Sequence, residues 1–577
     1  MVYHWFITAA SALDKRTLDR VYFAACLHGT LPHKLTPQPP QVNWQRLSKQ
    51  TEPLLMTLFR ALDDAQSRHH KAVFLILLLS ALLLRVYDFQ GYTDSDPRHY
   101  SFLADELSKG VLHIPHIPED DAAPVFYVRP GVYFPVAMLI RVFGLSEFTL
   151  VAYPFVISLL SCVLAYFFAR KLLSPLEGLI AFALLALLPF DVQIASKLLP
   201  DAVAAFWANL ALYLLWRAVD TASLKAGASL AVLSGVLFGI SWLCKESVVY
   251  LVPFVIVLAL FGEGGFSLKG RFSLLVLLAI GSLSVLGGEL FFYFVKTGDA
   301  LFRLHETERN YLVTSVWFFD SASPLYGWGE GGYLKAVLKR ILYTGPRNII
   351  LCSSFLYLPL LALLGVAWGA FVGVRRHVHV MVLIWFAVLV LMFNFMSSSF
   401  SSYKPLIIYD RYLYPVLLPC VIIFSGFLGC LLRGGDALGL DKERLFWGLV
   451  IGTGFTLLCA KGIIFFHLNR SELIERHVSH TLKEADVVYT DYRTVPGLVF
   501  FRENRLSDVS DVNRSWKKMK VSDFPVGAYV LVNVRRLEAL NRTYKYEIPS
   551  FAYQPPGYWR KVDSINGATL YKVEPEN

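Results

Sequence analysis

Between Lys71 and His467 the chain alternates long apolar runs with short polar turns. The runs fall at 71–89, 148–169, 176–190, 200–216, 227–243, 247–262, 272–296, 347–373, 378–396, 412–432 and 445–467. A helix rises about 1.5 Å per residue, so about 20 apolar residues cross the roughly 30 Å of bilayer hydrocarbon. The pattern predicts a polytopic α-helical membrane protein with about 11 spans. Val132–Phe143 is apolar apart from Arg141 but too short to cross, and is expected to lie at the interface.

Charge tests that choice. With Val132–Phe143 left out, every second turn is basic: Arg170 and Lys171, Arg217 and Lys225, Lys269 and Arg271, Arg375 and Arg376, then Arg433, Lys442 and Arg444. Cytoplasmic turns carry excess Lys and Arg, so these turns are expected on the cytoplasmic side. A crossing at 132–143 would put all of them outside. Loops 90–147 and 297–346, the turn at 397–411 and the region from 468 then share the extracytoplasmic face.

Residues 1–70 form a mixed, polar, cytoplasmic extension, broken at Pro32, Pro37, Pro39 and Pro40. Its start lacks the basic, apolar and small-residue order of a signal peptide. Residues 468–577 turn polar, with strand-like runs at 487–490, 529–534 and 569–573 and a helical pattern near 471–485. They are expected to form a small α/β domain. The expected location is a bacterial inner membrane, with the N-terminus cytoplasmic and the C-terminal domain extracytoplasmic.

Composition agrees with this picture. The chain is 55% hydrophobic and only 17% charged, whereas soluble domains carry about 25% charged residues. Its net charge of +10 is what basic cytoplasmic turns supply, so no nucleic-acid partner is inferred. The seven cysteines lie mostly in apolar runs, with no zinc spacing or disulfide framework.

Charged residues at membrane depth are costly and usually face a cavity or a partner. Five such features fall on the outer face: Asp94 and Asp96; Arg129-Pro130; Asp191, Lys197 and Asp201; Lys245-Glu246; and Tyr409-Asp410-Arg411-Tyr412. His305 and Glu306 add a polar pair in the loop at 297–346. The set fits sugar transfer from a polyprenyl phosphate. A carboxylate within hydrogen-bond reach deprotonates a hydroxyl acceptor, and cations take up the charge growing on the departing phosphate. Plainer roles compete. Asp96 before Pro97 suits a helix start, and Asp201 after Pro200 suits a cap. Arg129 suits an interfacial anchor, and Lys245 and Glu246 suit a mutual ion pair. His305 and Glu306 alone are too few to hold a metal.

With these residues in view, the chain resembles the GT-C glycosyltransferases. It is most similar to the branch holding the protein O-mannosyltransferases and the aminoarabinose transferase of lipid A, over roughly 71–467. Asp96-Pro97-Arg98-His99-Tyr100 with Ala104-Asp105-Glu106-Leu107 resembles the family's first-loop motif, in which an Asp-Glu pair precedes a short helix; Pro97 replaces the second acid. Arg129-Pro130-Gly131-Val132-Tyr133 resembles a Lys-Pro-Pro-Leu-Tyr segment whose basic residue contacts donor phosphate. Val128 stands where some relatives have an acid implicated in metal binding. Lys197 to Asp201 resembles a Ser-Arg-x-x-x-x-Asp segment one residue longer, and Arg411-Tyr412-Leu413 an Arg-Tyr-Leu-x-Pro segment.

The resemblance implies an inverting hexosyl- or pentosyltransferase. Asp96 and Asp201 are the expected catalytic acids, with Asp96 as base. Arg129, Lys245 and Arg411 are the expected ligands of the donor phosphate. Asp94, Lys197, His305 and Glu306 are accessory candidates. No metal ligands are assigned, and a divalent cation stays open. The expected partners are a polyprenyl phosphate-linked sugar, a hydroxyl acceptor and the bilayer. The rival class is a transporter or flippase of a lipid-linked anion, which would use the same cations without needing Asp96 as a base. No internal repeat of the kind found in many transporters is evident.

Overall fold

The computed structural model describes residues 61–93, 96–112, 125–264, 266–309, 335, 338–371, 380–397, 408–433, 441–468, 472–482, 486–491, 494–503, 506, 520–544, 548–565 and 567–576. Most of the expected extension 1–70, and Asp94, lie outside them.

The first long helix, α1 (Arg68–Tyr87), is started by Ser67, whose Oγ accepts from the His70 amide at 3.0 Å. Its outer face is apolar and open, with Leu75, Ile76, Leu79 and Leu83 all more than half exposed. That is how a helix facing lipid reads. Two helices follow in the first loop, α2 (Asp96–Ser108) and α3 (Pro130–Phe143), packed on each other. In α3 one face buries Val132, Tyr133, Val136 and Ile140, while Phe134, Met138 and Val142 stay exposed on the other. At about 21 Å it is too short to span, and its one-sided burial suits a helix lying along an interface.

The bundle continues with α4 (Glu147–Leu172), α5 (Pro175–Leu187), α6 (Pro189–Ile194), α7 (Pro200–Asp220) and α8 (Leu224–Cys244). A 3₁₀ turn (Glu246–Leu251) leads to α9 (Val252–Phe261) and then to α10 (Leu268–Thr297). After the long loop come α11 (Gly345–Ile350), α12 (Leu358–Phe371), α13 (Val380–Phe395), a 3₁₀ turn (Asp410–Leu413), α14 (Tyr414–Arg433) and α15 (Asp441–Leu468). Among the described residues, seven helices are long and apolar enough to cross a membrane. An eighth candidate is a pair bent by 106° between Arg340–Phe355 and Leu358–Ala370. The expected spans at 176–190, 247–262 and 378–396 are shorter apolar helices, Pro175–Leu187, Glu246–Phe261 and Val380–Phe395. The protein is an integral multi-pass membrane protein.

Helices α8 and α10 meet through glycine. A Cβ at Gly235 would overlap the Leu278 carbonyl, and one at Gly281 would overlap the Val232 carbonyl. Both clashes are with backbone, which cannot swing aside. Gly235→Val is therefore expected to cost about 1–3 kcal/mol or more by overpacking, read as a lower thermal unfolding midpoint in detergent.

Beyond the membrane domain, α16 (Glu472–Thr481), β1 (Val488–Tyr489), α17 (Val495–Glu503), β2 (Tyr529–Asn533), α18 (Val534–Tyr544), β3 (Trp559–Ile565) and β4 (Ala568–Val573) form a small α/β unit. The strand order is β1-β2-β4-β3. β1 runs parallel to β2, and β4 runs antiparallel to β2 and β3. The apolar runs predicted β1, β2 and β4. They missed β3 because an edge strand with exposed Arg560 and Lys561 carries little apolar alternation.

Candidate active site

Five chain segments end at one place, each presenting a charged side chain from a helix terminus. Asp96 opens α2, and Arg129 is the residue before α3. Asp201 lies in the first turn of α7, Lys245 caps the end of α8, and Glu246 opens the following 3₁₀ turn. Arg411 lies in the 3₁₀ turn before α14. Proline sets three of these entries, at Pro97, Pro130 and Pro200, since its fixed φ suits the first helical turn. An acid in the first turn, as at Asp96 and Asp201, is also favoured by the helix dipole.

Arg411 joins the two expected catalytic acids. Its Nη1 is 2.6 Å from Asp96 Oδ2, and its Nε is 4.0 Å from Asp201 Oδ2. Lys245 pairs with the other oxygen of Asp201, and its Nζ sits 3.6 Å from the centre of the Tyr412 ring. Asp201 thus spends its carboxylate on Lys245; α7 has no side-chain cap bond. Its Oδ2 is buried with no hydrogen-bond partner among the described residues. Such an oxygen is costly to leave unmade and is an acceptor aimed into the site. A small cleft beside it is lined by Ala204, Ala205, Ala208 and Tyr412.

Next to this group lies a second one. Arg129 grips Glu246 with two nitrogens, Nε at 3.1 Å and Nη2, and its Nη1 donates to the Tyr100 hydroxyl at 3.1 Å. Lys245 and Glu246 therefore do not pair with each other: adjacent in sequence, they reach Asp201 and Arg129 instead. Arg303 extends the cluster, with Nη2 3.7 Å from Glu246 and Nη1 2.7 Å from Glu289. It also lies over the Trp242 ring at 4.7 Å, and the Trp242 indole donates to Glu289 at 2.7 Å.

The cluster has a depth gradient. The side chains of Asp96 and Arg411 are 22% and 29% exposed, whereas Asp201 and Lys245 are 2% and 5% exposed. The first pair lies at the open edge of the cluster and the second pair forms its buried floor. Burial pulls the Lys245 ammonium below its ordinary value; Asp201 opposes this, and the nearby positive charges of Arg129 and Arg411 add to it. Burial likewise pushes the Tyr100 hydroxyl up against the pull of Arg129, so it stays neutral and can hydrogen-bond.

The remaining candidates stand elsewhere. Asp191 is fully buried with Arg85 of α1 and accepts from Ser158 at 2.7 Å, an ion pair inside the helix bundle. Lys197 is half-buried in the turn between α6 and α7. His305 is exposed and lies 2.7 Å from Asp299, while Glu306 is buried and pairs with Arg309 at 3.0 Å. Among the described residues no group of three or more His, Cys, Asp or Glu side chains is placed to hold a metal ion. The sequence reading missed Arg303 and Glu289. Glu289 left a signal, as a carboxylate inside the apolar run 272–296.

The family described as dolichyl-phosphate-mannose-protein mannosyltransferase matches residues 125–286, a stretch containing Arg129, Asp201, Lys245 and Glu246. No curated protein matches the chain. Among solved structures, the Archaeoglobus fulgidus oligosaccharyltransferase in its apo form is 12% identical, with 83% of this chain and 71% of that chain covered at a TM-score of 0.51. ArnT from Cupriavidus metallidurans in the apo state is 13% identical over 88% of this chain and 100% of that one, at a TM-score of 0.47. The same protein bound to undecaprenyl phosphate is 13% identical over 87% and 99%, again at 0.47. The likeness to the archaeal enzyme is one of fold.

Proposed function

We propose, from the premise that the chain is a GT-C superfamily glycosyltransferase of the protein mannosyltransferase and ArnT type, that it moves a sugar from a polyprenyl phosphate to a hydroxyl acceptor at the extracytoplasmic membrane face. The observation that supports this most is the arrangement of Asp96 and Arg411 over Asp201 and Lys245. It sets a carboxylate beside a guanidinium at the open edge of a buried charged floor.

In the proposed reaction the Asp96 carboxylate takes the proton of the acceptor hydroxyl. The acceptor oxygen attacks the anomeric carbon from the face opposite the phosphate, so configuration inverts. The bond from that carbon to the phosphate oxygen breaks, and its electron pair stays on the phosphate. Arg411 is the outermost cation, and a guanidinium can meet a phosphate with two hydrogen bonds. Lys245 supplies a fixed positive charge from below, where low polarity strengthens it. The Asp201 oxygen that accepts no hydrogen bond among the described residues orients the acceptor. Arg129 takes a supporting part, because two of its nitrogens already hold Glu246. Of the accessory candidates, Lys197 lies in the turn that leads into α7.

The test uses purified protein in lipid with a panel of radiolabelled polyprenyl phosphate sugars, following release of free polyprenyl phosphate. Release with one donor, with the sugar's anomeric configuration inverted in the product, is the expected result. Donor movement across vesicles with no release would replace transfer by transport, and retention of configuration would remove the single-displacement mechanism.

A further inference from the structure

The C-terminal domain reaches the loop that carries Asp96. The residue that makes the contact, Arg476, lies on α16. Its guanidinium donates from Nη2 to the Gln90 carbonyl at 2.7 Å and to a Glu147 carboxylate oxygen at the start of α4. The same Glu147 oxygen accepts from the Tyr92 amide at 3.2 Å. Three chain segments therefore meet at one carboxylate and one guanidinium.

Aromatic packing closes the contact. Tyr92 is buried and stacks on Phe500 of α17, with ring centres 4.4 Å apart and planes 25° apart. Phe501 meets Tyr92 edge-on, and Arg476 lies 5.1 Å from the Phe501 ring centre. Between Gln90 and Tyr92 the chain has no room for a side chain. Gly91 has φ +73°, and a Cβ there would overlap both Glu147 and Arg476. Just before it, the Gln90 amide donates to Ser196 Oγ at 2.8 Å, in the turn that leads to Asp201. The 90–93 segment is thus held on one side by the C-terminal domain and on the other by the second acid's own turn.

The domain is built to transmit this grip. Glu475, the neighbour of Arg476, turns the other way, is buried, and pairs with Arg536 of α18 at 2.9 Å. Adjacent residues of one helix therefore tie the domain interior and the first loop together. At the end of α15, where the chain leaves the membrane domain, His467 stacks on Tyr87 at 4.1 Å.

We infer that Arg476 is a positioning residue: the C-terminal domain sets the placement of Asp96 by clamping residues 90–93. The inference rests on the reading of Asp96 as base. Thr93 stands three positions before Asp96, so the clamp lies close in sequence to the carboxylate it is inferred to place. A misplacement of about 1 Å in a reacting group can cost about a hundredfold in rate.

The experiment uses the full-length protein in lipid with the active donor. Arg476→Ala is expected to lower kcat about tenfold to a hundredfold while the donor Kd stays within about twofold, as expected when positioning rather than binding is lost. Arg476→Lys is expected to recover only part of the rate, because an ammonium loses the planar guanidinium's contact with the Phe501 ring. Hydrogen exchange at the Tyr92 amide is expected to accelerate in Arg476→Ala. If that variant does not fold, Glu147→Gln, which keeps size and removes charge, carries the same test. Unchanged kcat, or donor binding lost in step with turnover, overturns the clamp. Asp96→Asn run alongside keeps the two readings apart. Full turnover in Asp96→Asn defeats the base, whereas slow Tyr92 exchange in Arg476→Ala defeats the clamp whatever the base is.

Discussion

Asp96→Asn is expected to cut sugar transfer by about 10²–10⁴-fold, the range that a positioned general base contributes, while donor binding holds or tightens. The substitution keeps the shape of the side chain and its place in the first turn of α2. It removes the carboxylate proposed to take the acceptor's proton. It also frees Arg411 from the partner at 2.6 Å, leaving Asp201 at 4.0 Å as that guanidinium's nearest carboxylate among those described. A less neutralised guanidinium binds phosphate at least as well, so Kd and kcat should part company. The measurement is single-turnover release of polyprenyl phosphate next to equilibrium binding of the same donor. Turnover within about tenfold of wild type would place the base elsewhere, since that is less than general-base catalysis supplies. A donor Kd weakened in step with turnover would make Asp96 a binding group.

Membrane crossing was legible because it rests on length and apolarity, both of which are local. The runs at 71–89, 148–169 and 272–296 return as α1, α4 and α10. α3 returns among the shorter apolar helices, as do three of the runs expected to cross. The bent pair between Arg340 and Ala370 was not legible as two pieces, because a continuous apolar run looks the same whether straight or folded at 106°.

The candidate site was legible in its parts but not in its pairings. Asp96, Arg129, Asp201, Lys245 and Arg411 were each visible as charges beside apolar runs. Sequence proximity left a Lys245–Glu246 ion pair open beside the expected phosphate-binding role of Lys245. The chain turn after α8 instead sends them apart, to partners 44 and 117 residues away. Arg303 escaped notice because nothing local marks it; its role comes from contacts with Glu246, Glu289 and Trp242 that only packing creates. The contact of Arg476 with Gln90 joins positions 386 residues apart and has no local signature at all.

The pairings also explain how such a site can be buried. Each carboxylate in the cluster has a cation within reach, which offsets part of the cost of taking charge out of water. A buried pair so arranged gives a separable prediction. Lys245→Met should cost about 3–5 kcal/mol, because it leaves the buried Asp201 carboxylate with only the more distant Arg411. Loss of the cation over the Tyr412 ring adds about 0.5–2 kcal/mol. Asp201→Asn should destabilise by a comparable amount by stranding Lys245. The double variant, Asp201→Asn with Lys245→Met, should recover most of that stability, because replacing both members of a buried pair is often nearly neutral. Turnover should not recover with it. On the proposed mechanism Lys245 lies beneath the departing phosphate and Asp201 orients the acceptor, so a stable but uncharged floor would support neither task. Thermal unfolding and donor turnover on the same three preparations separate the two effects. A double variant that regains both stability and turnover would make Lys245 and Asp201 a structural pair, and would leave Asp96 and Arg411 to carry the chemistry alone.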